Sequence, residues 1–260
     1  QPVIISDGSE DGDGDAASAA QVDRALLRQK AVLFSSAVDR NTVLCAILSA
    51  SADAERGLAV VFCETKQQCR KVAAHLQARG ASALALHGDL EQRDRDKVLV
   101  RFRNGSCRIL VATNVAARGL DVPGVALVVC YELAGGPGCG EAYTHRVGRT
   151  ARAKSEGDAV SLVAMDSELP RLDAVDAALG GDAIPRVEWA SAPEYAAASG
   201  GLSAQWSAEW RTLLVQGGRR DKLRPGDILG ALSGSGVGLS GSDVGAIEVT
   251  EKRTWVAVRS

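Results

Sequence analysis

The chain has 260 residues, with 30 Lys or Arg against 32 Asp or Glu and a formal net charge of -2, so any surface for a polyanion has to be local rather than general. That length holds one full α/β domain and part of another, each with a sizeable core. The six cysteines at 45, 63, 69, 107, 130 and 139 include no C-x-x-C pair, and His75, His87 and His145 lack metal-ligand spacing. This argues against a zinc site or a disulfide framework and for reduced core thiols in a cytoplasmic, or possible organellar, compartment. No apolar run approaches membrane-spanning length and the first residues lack a charged-then-apolar leader pattern, so a soluble chain with no membrane partner and no resident metal is expected.

In chain order, residues 1–27 read as a linker, because 6–15 is glycine, serine and acid with nothing to bury. Residues 28–180 then alternate apolar runs with amphipathic ones. Leu44, Ile47 and Leu48 at helical spacing predict a strand entering a helix within 25–50. The run L-A-V-V-F-C (58–63) predicts a buried strand, 67–79 an amphipathic helix closed by Gly80, and 83–86 another strand. The pattern repeats with a helix over 91–103 that stops at Asn104-Gly105, and strands over 108–112, 125–130 and 158–164. Strands buried on both faces and alternating with helices predict a doubly wound parallel sheet.

In such sheets ligands lie beyond the carboxyl ends of the strands. Glu64-Thr65-Lys66, His87-Gly88-Asp89 and Thr113-Asn114 each follow a predicted strand and so share one rim. Thr65 and Thr113, with backbone N-H groups at the following helix starts, suit the phosphates of a strand laid across that rim, although a threonine there also serves as a plain helix cap. Gly119 suits a tight turn and Asp121 a ribose hydroxyl. Arg95, in Q-R-D-R, is a candidate phosphate contact or else a surface ion-pair partner of Asp94 and Asp96.

The stretch Y-T-H-R-V-G-R-T-A-R-A (143–153) spaces Arg146, Arg149 and Arg152 three residues apart, with no acid between Tyr143 and Lys154. If helical, it presents three guanidinium groups along one broad face, a pattern that suits phosphate; a solvated basic helix is the plain alternative.

Residues 181–208 read as a Gly-, Ala- and Pro-containing linker, and 209–260 as a second domain. There a strand over 210–215 leads to the basic turn Gly217-Gly218-Arg219-Arg220, a Pro-started helix over 224–232, and two strands over 244–249 and 254–258. This domain carries 8 Lys or Arg against 6 Asp or Glu, but Arg219, Arg220, Lys222 and Arg224 cluster, which marks either a phosphate-facing patch or a solvated hairpin loop.

Taken together, V-F-C-E-T-K (61–66), L-H-G-D (86–89), Q-R-D-R (92–95), V-A-T-N-V-A-A-R-G-L-D (111–121) and H-R-V-G-R-T-A-R (145–152) resemble the C-terminal RecA-like lobe of the DEAD-box RNA helicases. The resemblance implies that Thr65, Arg95 and Thr113 contact RNA phosphates, with Lys66 and Gly88 on the same loops. It also implies that Asp121, beside Gly119, faces a ribose or the nucleotide. Arg149 and Arg152 would reach the terminal phosphate of ATP held with Mg2+ by an N-terminal RecA-like lobe, and His145 and Arg146 would organise that junction. The second domain, G-G-R-R-D-K-L-R-P-G-D-I-L-G-A-L with D-V-G-A-I-E-V, resembles the RNA-binding domain of the DbpA group, a divergent RNA recognition motif. Members of that group engage a hairpin of large-subunit ribosomal RNA and act in ribosome assembly.

The sequence departs from that family pattern in several ways. Nothing matches G-x-x-x-x-G-K-S/T or D-E-A-D, so the chain is not expected to hydrolyse ATP alone. Asn114 stands where the group commonly has Asp, and the glycine-rich stretch 135–140 lengthens the approach to the arginine segment. The recognition-motif fold would still need a helix and a closing strand after Ser260, which predicts an open edge beside 255–258. The leading expectation is a monomeric lobe and specificity domain of an ATP-dependent RNA helicase; a non-catalytic RNA-binding protein that keeps the lobe as a scaffold, or a DNA translocase lobe, are the alternatives.

Overall fold

The computed structural model describes residues 26–51, 57–117, 122, 124–151, 156–180, 183–196, 202, 206–234 and 236–260. The acidic stretch expected as a linker therefore lies outside the described residues, as do Gly119, Asp121 and Arg152.

The first unit is built on β1 (Leu27–Phe34), α1 (Arg40–Ala50), β2 (Leu58–Cys63), α2 (Lys66–Ala78), β3 (Ala83–Leu86), α3 (Gln92–Arg103), β4 (Ile109–Thr113), α4 (Asn114–Ala117), β5 (Val125–Cys130), α5 (Cys139–Val147), β6 (Gly157–Ala164), α6 (Leu169–Ala178), β7 (Arg186–Glu188) and α7 (Pro193–Ala196). Its seven strands lie in the order β3-β4-β2-β5-β6-β1-β7 and every pairing is parallel. All six residues of β2 are buried, because helices cover both faces of the sheet. Alternation sorts the side chains: Val32, Val61, Val111 and Val129 join α1 and α2 on one face, while Ala31, Cys130, Ala159 and Val163 meet α5 and α6 on the other. Local chemistry sets the element ends. Thr65 caps α2 by accepting from the Gln68 N-H at 3.2 Å, and Gly80, at φ +85°, closes the same helix in a conformation that penalises any other residue.

The glycine-rich approach to α5 has a packing reason. Gly138 starts the helix at φ +83°, and a Cβ on Gly140 would stand 2.5 Å from that of Ala178, so the glycine lets α5 lie close against α6. The expected arginine helix is shorter than its spacing suggested. α5 stops at Val147, Gly148 caps it, and Arg149 stands on the turn beyond, so Arg146 and Arg149 do not share a helical face.

The bridge 181–208 also departs from its reading as a linker. β7 pairs with β1, Trp189 stacks on Tyr195 at 5.6 Å between ring centres, and Trp206 is 1% exposed. Trp206 donates from Nε1 to the Leu48 carbonyl at 2.8 Å, and the Arg108 guanidinium lies over its ring. Three aromatic anchors in a Gly- and Ala-rich stretch have no period, so nothing local announces that they are core.

The second unit contains β8 (Trp210–Val215), α8 (Pro225–Ser233), β9 (Val244–Val249) and β10 (Thr254–Arg259). Its sheet is antiparallel in the order β8-β10-β9, with Ile228 of α8 packed among Val244, Ile247, Val256 and Val258. The open edge expected beside 255–258 is not there. β10 is central, paired with β8 on one side and β9 on the other, and the edges are β8 and β9. The buried Val256, Ala257 and Val258 need two neighbours, which an edge position would deny them.

Candidate functional site

Polar residues gather where β2, β3, β4 and β5 end. Arg146, 2% exposed, is the pivot of that rim. Its Nε donates to Asn114 Oδ1 at 2.7 Å, Nη1 to the Glu132 carbonyl and Nη2 to Glu64 Oε1, while the guanidinium lies 5.6 Å over the Phe62 ring. The Glu64 N-H donates to Glu132 Oε2 at 3.0 Å, so the ends of β2, β4 and β5 are tied around one buried cation. The expectation that Arg146 faces phosphate is corrected here: each of its guanidinium nitrogens is engaged inside the lobe. A buried arginine bonded through all three of its nitrogens is a structural tie, because withdrawing it would strand its partners. Asn114, expected as the loss of a carboxylate, is the amide acceptor in this tie, leaving Glu64 as the acid that balances Arg146.

Arg149 is placed differently. The turn that carries it begins at the Gly148 cap and ends at Thr150, which is buried and donates from Oγ1 to the Val125 carbonyl at 2.6 Å. Ala151 follows at φ +53°, and the turn lies so close to the start of β6 that a Cβ on Gly157 would stand 1.9 Å from Thr150 Oγ1. Arg149 itself is half-buried and donates from Nε to the His145 carbonyl at 3.2 Å. It is thus a guanidinium on a backbone locked at both ends. His145 is exposed, its Nδ1 4.0 Å from Glu141 Oε1 one helical turn back.

Along the β2–β3–β4 part of the rim, Thr65 serves as the α2 cap and Thr113 ends β4 beside it, in register with Cys63. Lys66 Nζ lies 2.9 Å from Asp89 Oδ1, and Arg70, one turn further along α2, brings Nη2 to Asp89 Oδ2 at 3.0 Å. Arg70 also donates from Nε to His87 Nε2 at 3.0 Å, which puts the neutral ring's proton on buried Nδ1. Burial first, and the Arg70 charge second, hold the His87 pKa below its ordinary value, while the Lys66 hydrogen bond holds the Asp89 carboxyl below the usual carboxylate range. Gly88 is exposed and a Cβ there would meet nothing within 4 Å, so its own fold does not require a glycine. Arg95 pairs with neither Asp94 nor Asp96. Its Nη2 reaches the Ala116 carbonyl at 2.7 Å, while Asp94 takes Lys97 and Asp96 takes Gln92.

In the second unit the basic turn is a built element. Gly218 opens a single 3-10 turn over Arg219–Asp221, and Asp221 Oδ2 accepts from the Gly218 N-H at 2.9 Å. Lys222 follows at φ +61°, and Arg224 caps α8, its N-H donating to Asp227 Oδ2 at 2.9 Å. Arg219, Arg220, Lys222 and Arg224 are all exposed. The sequence reading missed Arg70 and Glu132; the four-residue spacing from Lys66 points to the first, and no local signal marks the second.

A parallel sheet with a charged strand-end rim, followed by a small antiparallel sheet bearing a basic turn, defines the class: a RecA-like helicase lobe joined to a domain like an RNA recognition motif. The helicase conserved C-terminal domain family matches residues 39–154, and the DbpA RNA binding domain family matches residues 212–260. Over 200 residues the chain is 48% identical to the ATP-dependent RNA helicase DbpA of Escherichia coli, covering 77% of this chain and 41% of that protein. The chain therefore spans about two-fifths of that relative's length. The C-terminal domain of the DEAD-box protein Dbp5 superposes with a TM-score of 0.57 at 30% identity, over 65% of this chain and 94% of that one. Dbp5 of S. cerevisiae bound to RNA and ADP BeF3 superposes at 0.59 with 29% identity, over 66% of this chain and 44% of that one. The chain belongs to the DEAD-box RNA helicases and carries their C-terminal lobe.

Proposed function

We propose that this chain is the second lobe and RNA-binding domain of an ATP-dependent RNA helicase that binds and remodels structured RNA, with large-subunit ribosomal RNA during ribosome assembly as the target. The observation that carries the reading is the pairing, in one chain, of a helicase C-terminal match with a DbpA RNA-binding match. The RNA in the Dbp5 complex supports RNA as the ligand of the rim that carries Thr65, Lys66, Gly88, Arg95 and Thr113. ATP would supply the phosphoryl group transferred to water, held with Mg2+ mainly by an N-terminal RecA-like lobe. The chain's own residues fit the terminal phosphate through Arg149, on its locked turn, with Arg152 three residues on. Among the described residues no group of three or more His, Cys, Asp or Glu is arranged to hold a metal ion.

In this reading Arg149 stabilises charge that spreads over the transferred phosphoryl group, a contribution of about 10³ to 10⁵ in rate, or roughly 4 to 7 kcal/mol. A chimera fusing the N-terminal portion of the E. coli relative to this chain tests it. RNA-stimulated ATP hydrolysis is expected, and Arg149→Ala is expected to reduce it to background while leaving RNA binding nearly intact. A chimera that folds and binds RNA yet shows no stimulated hydrolysis would favour the scaffold alternative.

A further inference from the structure

The two turns of the second unit form one seam. The Arg219 N-H donates to the Thr250 carbonyl at 2.9 Å and the Arg220 N-H to the Glu251 carbonyl at 3.1 Å. Thr254, fully buried, donates from Oγ1 to the Gly217 carbonyl at 2.9 Å. The approach is as close as backbones allow, since a Cβ on Gly218 would stand 2.2 Å from the Thr250 carbonyl oxygen. The facing turn is itself closed, with the Thr250 N-H and Oγ1 both donating to the Arg253 carbonyl at 2.8 Å. Lys252 and Arg253 follow Thr250 and Glu251 directly on the facing turn, about thirty residues in sequence from Arg219, Arg220, Lys222 and Arg224. The nearby acids are largely committed. Asp221 and Asp227 accept backbone N-H groups, and Glu251 Oε2 lies 3.5 Å from Arg220 Nε.

We infer that Lys252 and Arg253 are RNA-binding residues, and that the β9–β10 turn and the Gly217–Arg220 turn act as a single phosphate platform with Glu251 as its internal counter-ion. The inference rests on the RNA-binding reading above and deepens it. The two turns carry these six cations on backbone that is already folded and tied together at Arg219 and Arg220, so the binding lost on neutralising either turn is of the same kind: affinity with its salt dependence. Glu251 opposes that binding by holding Arg220, so its removal acts in the opposite direction. A merely structural role for the turn predicts no such reversal.

The test uses the full 260-residue chain, a fluorescein-labelled RNA hairpin with a single-stranded flank, and anisotropy titrations between about 50 and 200 mM salt. Lys252→Gln with Arg253→Gln is expected to weaken binding roughly 5- to 30-fold and to make the slope of log K against log salt shallower by about 1.5 to 2. Arg219→Gln with Arg220→Gln should do the same, and Glu251→Gln should tighten binding by a few-fold. These substitutions leave the backbone seam intact, and unchanged circular dichroism checks that. If the Arg219/Arg220 variant weakens binding while the Lys252/Arg253 variant does not, the platform is refuted and the RNA-binding reading stands. If neither variant changes an otherwise measurable affinity, or if the chain binds no hairpin, the reading itself falls with it.

Discussion

Replacing Arg146 separates the structural arginine of the segment from the one proposed to reach ATP. Arg146→Met keeps most of the volume against Phe62 but removes three donors at once, leaving Asn114 Oδ1, the Glu132 carbonyl and the Glu64 carboxylate without their shared partner. Removing one member of a fully buried ion pair costs about 3 to 5 kcal/mol. The Glu64 side chain is 31% exposed and regains some hydration, so the cost here falls to about 2 to 3 kcal/mol. For a domain of this size that lowers the melting temperature by roughly 5 to 10 °C. Arg146→Lys should lose nearly as much, because one ammonium on a flexible stem does not reproduce three donors in a fixed fork. Adding Glu64→Gln to Arg146→Met should recover about 1 kcal/mol, since it neutralises the stranded carboxylate. Urea and thermal unfolding followed by circular dichroism measure all of these. The reasoning is refuted if Arg146→Met stays within about 0.5 kcal/mol of the parent, or if Arg149→Met destabilises the lobe more than Arg146→Met does.

Gly157→Ala should destabilise by about 1 to 3 kcal/mol or more, and should also depress hydrolysis in the chimera, because the added Cβ pushes on Thr150 and hence on the turn that carries Arg149. Gly88→Ala should leave unfolding unchanged, since the space around it is open, yet weaken RNA binding if a phosphate backbone passes there; equal affinity would remove Gly88 from the interface. The pKa values of His87 and His75 are both lowered, chiefly by burial, so the unfolded chain binds protons that the native chain refuses. Their contribution is thus fully present above the unfolded value of about 6.5 and lost as pH falls through the folded values, and His87→Gln should flatten the drop in melting temperature between about pH 7 and 5. All six thiols are free and buried, with burial pushing Cys69 up to about 11, so a chromogenic disulfide reagent should titrate almost none quickly in the native chain and six in denaturant.

What the sequence determined by itself was of short range. Continuous apolar runs marked β2 and β5 to the residue, the helical spacing of α2 and its Thr65 and Gly80 ends were readable, and the alternation of runs with helices sufficed for a parallel sheet. The basic turn before a Pro-started helix was legible for the same reason, since period, capping and turn chemistry act over a few residues. Tertiary structure alone decided which strands are neighbours, and so put β10 in the middle of its sheet rather than at an open edge. It also decided that Trp206 is core, that Arg146 turns inward to Glu64 while Arg149 stands on the turn beyond, and that Thr250 and Glu251, next to Lys252 and Arg253, lie against a turn far away in sequence. Arginine reads the same whether its guanidinium meets solvent, a phosphate or a buried carboxylate. The partner that distinguishes those cases is brought in by long-range strand pairing, which no local pattern encodes.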